Sequence, residues 1–257
     1  MSEIPLERLA SEGGTETADR VADIMVLFSR TDSPLGVSGI ARALGISKAV
    51  VYRILRSLSS RGLLQFVPDS STYILGPTAI GLGNNAWAQS DFRSIAAPVL
   101  STLRDKTRET ATLSVLSSHS RIYLDQYESP QQIKMTVELG VSYPLHSGSS
   151  SRAILAFLPP AYVDEAMAQG VASVDGFDEE RQREKLEETR TKGFAVSLDE
   201  RKIGAASIAA PFFNVSGHPL GSVSACGPIF RFDENNVKSQ AEFVLSAARE
   251  LTQLLAR

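Results

Sequence analysis

From Gly36 onward the apolar residues follow a helical period that is interrupted and then restarted. Ile40, Ala41 and Leu44 share one face, and Val51, Ile54, Leu55 and Leu58 then fall at i, i+3, i+4 and i+7. Ser38 is placed to cap the first helix and Gly45 to end it in a left-handed conformation; Ser47 caps the second and Gly62 stops it. The period then becomes that of strands, over 63–67 and 72–75, on either side of the turn formers Pro68, Asp69, Ser70 and Ser71. Upstream, Val21, Ile24, Met25 and Phe28 line one face of a helix capped by Thr17 and ending near 30–34. The order is helix, helix, tight turn, helix and a hairpin wing.

Gly76-Pro77 marks a boundary, because proline suits a first helical turn. A linker helix is expected over 77–90, weakened by Gly81, Gly83, Asn84 and Asn85. Its Ile80, Leu82 and Trp87 need an apolar partner, either in a second subunit or on their own domain. Ile95, Val99 and Leu103 continue a helical stripe in which Pro98 predicts a kink or a restart. Strands are expected over 111–116 and 121–127, across a turn of Ser117, Ser118, His119 and Ser120, and a third over 133–139. Helices follow over 151–158, 161–169 and 179–192, the last capped by Asp178 and closed by Gly193. Strands return over 194–197, 207–213 and 220–225. A final helix carries Val237, Ala241, Val244, Leu245, Ala248, Leu251 and Leu255 on one stripe. The fold class is α+β, with an antiparallel sheet over 91–257. Residues 1–16, polar and rich in glutamate, read as a flexible arm.

A chain of 257 residues suits two domains, and 43% hydrophobic with 21% charged residues is ordinary for globular proteins. No apolar run approaches the roughly 18–20 residues that span a bilayer, and the N-terminus lacks a basic start followed by an apolar stretch, so a cytoplasmic location is expected. The single cysteine, Cys226, excludes an internal disulfide and a thiolate metal cluster. Net charge is −3, yet residues 36–67 hold Arg42, Lys48, Arg53, Arg56 and Arg61 and no acid, a local +5. Such a surface supplies phosphate contacts, the main source of non-specific DNA affinity. A solvated face on an ordinary helical hairpin would carry the same charge. It is the helix, turn, helix and wing order that points to a major groove, with Ser38, Ser47, Lys48, Ala49, Val50, Tyr52, Arg53 and Arg56 as DNA-facing residues.

The run Ile40-Ala41-Arg42-Ala43-Leu44-Gly45-Ile46-Ser47-Lys48-Ala49-Val50-Val51-Tyr52-Arg53-Ile54-Leu55, continued by Arg61-Gly62-Leu63 and Tyr73-Ile74-Leu75-Gly76, resembles the winged helix-turn-helix of the IclR family of bacterial transcriptional regulators. Later landmarks in the same order are Tyr143-Pro144-Leu145-His146, Arg152-Ala153-Ile154-Leu155-Ala156, Asp199-Glu200, Ala209-Ala210-Pro211 and Cys226-Gly227-Pro228. The resemblance implies a DNA-binding domain over 17–76, a linker helix that helps pair subunits, and a GAF-like effector-binding and oligomerisation domain over 91–257. The implied partners are double-stranded operator DNA, a small-molecule effector, and a second copy of the chain, as a homodimer or a dimer of dimers, with no membrane. A groove-binding helix reads few base pairs, which independently favours a two-fold dimer.

Catalytic patterns are missing. His119, His146 and His218 are dispersed without metal-ligand spacing, and no nucleophile elbow, Walker or dinucleotide glycine pattern occurs. Neither metal nor cofactor is expected, and the chain does not read as an enzyme. Cys226 fits a small buried hydrophobe as well as a reactive thiol. The serine run makes better sense as a cradle, in which Gly148 permits close approach and Ser149, Ser150 and Ser151 open a helix whose first N–H groups favour an anion. The resemblance implies effector contacts at Gly148, Ser149, Ser150, Ser197, Ala205, Ser207, Ser224 and Cys226. Where family members that bind small oxo-acids commonly carry aspartate, cysteine and serine, this chain has Ser197, Ser207 and Cys226, so glyoxylate and pyruvate do not carry over. On the DNA side, Ala49-Val50 replaces the usual Ser-Thr, which leaves apolar contact with thymine methyls in place of hydrogen bonds.

Overall fold

The computed structural model describes residues 14–29, 31, 33–89, 91–200 and 203–256, with the side chains of 84, 86–89 and 91 excepted. Nearly all of the expected arm, and the side chain of Trp87, therefore lie outside the described residues. Two units divide after residue 90.

In the first unit α1 (Glu16–Ser29), α2 (Val37–Leu44) and α3 (Lys48–Ser59) precede β1 (Leu64–Val67), β2 (Thr72–Leu75) and α4 (Pro77–Gln89). Ile24, Phe28, Ile40, Leu44, Val51, Leu55, Leu58, Leu64 and Tyr73 form one buried cluster, so the apolar stripes close on each other. Two caps differ from expectation. Helix α2 starts two residues earlier than a Ser38 cap would allow, with extended Gly36 at its N-cap, and Ser38 becomes an exposed helical residue. Thr17 lies within α1, and it is Thr15 Oγ1 that accepts the Ala18 N–H at 3.3 Å. Gly45 ends α2 at φ +62°, in the left-handed region where a side chain would be strained. Ser60 closes α3, ahead of Gly62. The wing pairs Leu64 with Leu75 through Val67 with Thr72, and Leu35 adds a bridge to Tyr73 that no local pattern signals.

The second unit holds α5 (Asp91–Thr107), β3 (Thr110–Ser117), β4 (Ser120–Tyr127), β5 (Ser142–Pro144), α6 (Ser149–Leu155), α7 (Pro160–Ser173), α8 (Glu179–Lys192), β6 (Ala195–Leu198), β7 (Ala205–Phe213), β8 (Pro219–Pro228) and α9 (Glu234–Leu255). The sheet order is β5-β4-β3-β8-β7-β6, with every neighbouring pair antiparallel. On one face Leu113, Ile208, Ala210, Phe212, Val223 and Ala225 pack against Leu100 and Leu103 of α5 and Val244, Ala248 and Leu251 of α9. That apolar layer supplies the hydrophobic drive. The opposite face is small and polar and is covered by α6, in which every residue is buried. Helix α5 runs through Pro98 without a restart, because Val99, Leu100 and Leu103 are held in this core.

The third expected strand, 133–139, is irregular. Its pairing groups are taken by a side chain: Gln126 Nε2 donates to the Val137 carbonyl at 3.0 Å, and Val137 N–H donates to Gln126 Oε1 at 2.9 Å. A short β5 takes the sheet edge instead. The β3–β4 pairing shifts register at Leu113/Ser114. Beyond that bulge Asp125 binds Arg93 of α5, whereas Arg121 and Tyr123 turn to the polar face.

Candidate functional site

Helix α3 enters with its N-terminus capped, Ser47 Oγ accepting from Val50 N–H at 3.4 Å. Val51, Ile54, Leu55 and Leu58 fix its inner face, which leaves Lys48, Ala49, Tyr52, Arg53 and Arg56 exposed. Val50 is half-buried against the core, so its side chain is divided between packing and the outer surface. Tyr52 is 49% exposed, a large aromatic that the core does not need. Arg61, counted with the cationic run, folds back instead: Nη1 donates to the Ser57 carbonyl at 2.9 Å and to Ser57 Oγ at 2.8 Å. Among the described residues no carboxylate is paired with Lys48, Arg53 or Arg56. The wing tip, Pro68–Ser70, is exposed and has no cation.

In the second unit a partly open pocket of about 90 Å³ has Gly148, Ser149, Ser150, Ser197, Ala205, Ser207 and Cys226 in its wall. Roughly 10–15 Å³ holds one water, so a small metabolite fits. Gly148 sits at φ +84° and ψ 159°, a region used almost only by glycine, and so turns the chain sharply into α6. Ser197, Ser207 and Cys226 are register partners across β6, β7 and β8, which makes a row of small polar groups. Ser149 and Ser207 share a hydrogen bond at 2.7 Å.

Ser224 does not line the cavity. It is buried behind the wall, 2.6 Å from Thr112 Oγ1, and receives the Ser150 hydroxyl at 3.4 Å. Ser222 continues the ladder, with its hydroxyl donating to the Ser150 carbonyl at 3.1 Å.

Four further contributions come from outside the residues singled out in the sequence. Arg121 and Tyr123 project from β4, Tyr143 from β5, and Met135, Thr136 and Val137 from the segment strapped by Gln126. Arg121 is 1% exposed; its Nε donates to Ser151 Oγ at 2.7 Å, and its guanidinium lies 4.3 Å from the Tyr123 ring centre and 5.1 Å from that of Tyr143. In the sequence the available signal is a cation, Arg121, inside a stretch that reads as a strand. Helix α6 has only two turns, so the strongest positive charge at this cavity is this guanidinium, not a helix dipole.

The pocket is braced from behind. Arg152, 2% exposed, pairs with Glu200 and donates to the Val196 carbonyl, and Lys185 Nζ reaches Glu200 at 3.0 Å. Burial pushes the Glu200 carboxyl up, but the hydrogen bond and charge of Arg152, with those of Lys185, outweigh it and hold the group below its ordinary value. His146, two residues before Gly148, is buried edge-on to Phe177, and that burial lowers its pKa.

Two family models divide the chain. Residues 17–68 match the IclR helix-turn-helix domain, and residues 85–253 match the bacterial transcriptional regulator IclR C-terminal domain. The chain belongs to the IclR family. A curated IclR-type relative, the HTH-type transcriptional regulator BhcR of Paracoccus denitrificans, is 29% identical over 93% of this chain and 87% of its own length. An IclR transcriptional regulator from Alicyclobacillus acidocaldarius has a TM-score of 0.78 at 25% identity, covering 95% of this chain and all of that one. An IclR homologue from Microbacterium hydrocarbonoxydans, crystallised with 4-hydroxybenzoate, has a TM-score of 0.70 at 20% identity over 93% of this chain and 99% of its own. The IclR fold, a helix-turn-helix unit and an α+β unit with an antiparallel sheet, is therefore that of this chain, and its members are DNA-binding regulators with an effector domain. No described helix is long and apolar enough to cross a membrane.

Proposed function

We propose that this IclR regulator binds a two-fold operator through Ser47, Lys48, Ala49, Tyr52, Arg53 and Arg56, and that a small organic acid in the pocket of the second unit sets its operator affinity. The observation that carries the reading is the outward face of α3, where three cations and one aromatic side chain are held in solvent by a helix whose other face is core. Phosphates meet Lys48, Arg53 and Arg56, while Ala49 offers methyl contact to thymine. Two copies are needed because one helix reads few base pairs, and the exposed Ile80 and Leu82 of α4, 66% and 56% exposed, offer a surface for pairing. The ligand named for the Microbacterium homologue supports an organic acid as effector. The protein acts in the cytoplasm and without catalysis: among the described lining residues neither histidine nor carboxylate stands beside the pocket serines.

Regulation is then linkage. An effector that changes operator affinity has its own affinity changed by operator to the same degree, typically 5- to 150-fold. A gel shift with the DNA upstream of the chain's own gene, repeated with small carboxylates, tests it: retarded complexes that respond to an acid support the reading, and no specific complex overturns it.

A further inference from the structure

Residues 133–139 alternate Ile133, Met135, Val137 and Leu139 with Lys134, Thr136 and Glu138, the pattern of a strand with one apolar face. Beneath that face lies the pocket rather than the core. None of the four apolar residues belongs to a described hydrophobic cluster, and Met135 and Val137, half-buried, line the cavity with Thr136 between them. The segment is tied at both ends. The Ile133 carbonyl accepts from Arg231 Nη2 at 2.9 Å, and Gly140 N–H donates to the Tyr123 carbonyl at 2.9 Å. Between those ties, among the described residues, the hydrogen bonds that hold it are the two to Gln126, beside a surface ion pair of Lys134 with Glu128 at 2.6 Å. Strand β5 pairs with β4 only as far as Ile122, so no ladder backs up the span. Fixed ends, one central fastening and no share in the core make a unit that can lift while the sheet stays folded.

We propose that Gln126 is a positioning residue for the pocket: its carboxamide fastens 133–139 as a movable wall, and release of its two hydrogen bonds is the step by which a small solute passes in and out. Resting on the effector reading above, that solute is the effector, and Gln126, which does not line the cavity, sets how fast the regulator exchanges it.

Cys226, the chain's only thiol, reports the passage. It lies in the pocket wall on β8, 9% exposed, with β3 between it and β4. Alkylation of the full-length chain by N-ethylmaleimide, without ligand or DNA, is timed in buffer and in urea below the unfolding transition. Wild type should react roughly 10- to 100-fold more slowly than the unfolded chain, as parting two neutral hydrogen bonds requires, and almost independently of urea, as local opening does. Gln126→Met, which keeps the length and loses both bonds, should react about tenfold faster, again without urea dependence. A merely structural role would instead speed labelling through global unfolding, with the full urea slope. Should Gln126→Met not fold, Gln126→Asn, one methylene shorter, takes its place. Equal rates in wild type and variant, a wild-type rate equal to that of the unfolded chain, or labelling that tracks global unfolding overturns the inference. A gel shift that no small carboxylate alters, with labelling as expected, sinks the effector reading and leaves the movable wall; the converse removes the wall alone.

Discussion

Gln126 and Val137 are joined by two hydrogen bonds between a side-chain amide and a backbone peptide, at 3.0 and 2.9 Å, so that one residue of β4 does the work of a strand neighbour. The segment it straps contributes Met135, Thr136 and Val137 to the pocket. Gln126→Leu should leave the sheet core intact and free this segment. Hydrogen exchange at residues 133–139 is expected to accelerate by roughly tenfold or more, the loss of one to two hydrogen bonds of about 1 kcal/mol each. Unaltered protection would show that the strap is held by other contacts.

Glu200 ties the β6–β7 connection to Arg152 in the pocket helix. Glu200→Gln leaves that guanidinium buried without its countercharge, and a loss of about 3 kcal/mol in unfolding free energy is expected in denaturant titrations at neutral pH. The sign with pH follows from the depressed carboxyl. The native state binds the proton less readily than the unfolded chain, so the stabilisation is complete above the ordinary carboxylate range and disappears as pH falls through the lower folded value. The gap between wild type and variant should therefore narrow in acid.

His146 provides a second pH signature. Its ring is buried and Nδ1 has no hydrogen-bond partner among the described residues, so burial favours the neutral form and the folded pKa lies below the ordinary histidine value. The unfolded chain takes up the proton first, and stability should fall as pH drops below about 6.5. Melting temperatures between pH 7.5 and 5.5 are expected to decline more steeply in wild type than in His146→Gln. Parallel curves would remove His146 from the account.

On the DNA side, Arg53→Ala should weaken operator binding and reduce the slope of log affinity against log salt by about 1 if Arg53 meets a phosphate. Fluorescence anisotropy across a salt series reads both quantities. Effector binding, measured by calorimetry without DNA, is expected to be unchanged. An unaltered affinity and slope would place the groove contact on another face of α3.

The helix-turn-helix unit was legible because its information is local. Three apolar stripes, the Ser47 cap and the left-handed Gly45 specify its helices within a few residues, and burying the stripes leaves Lys48, Arg53 and Arg56 outside. The Asp178 cap and the Gly193 end of α8 were equally local. Ser38 and Thr17 are not caps because each helix starts two residues earlier than they would allow, where Gly36 is extended and Thr15 reaches Ala18.

The pocket depends on information that no short window contains. Ser197, Ser207 and Cys226 came from the family resemblance, and it is strand register that sets them in one row. The face of Arg121 depends on where β4 slips by one residue, at Leu124, against Leu113 and Ser114 of β3, and Ser224 sits one layer behind the wall, bonded to Thr112. By itself the sequence determined the secondary elements, the two-unit plan and the cationic helix face, since each follows from neighbours along the chain. Only tertiary structure decided which side chains close on the cavity and that a buried guanidinium is its single described charge, because those depend on contacts between residues far apart in sequence.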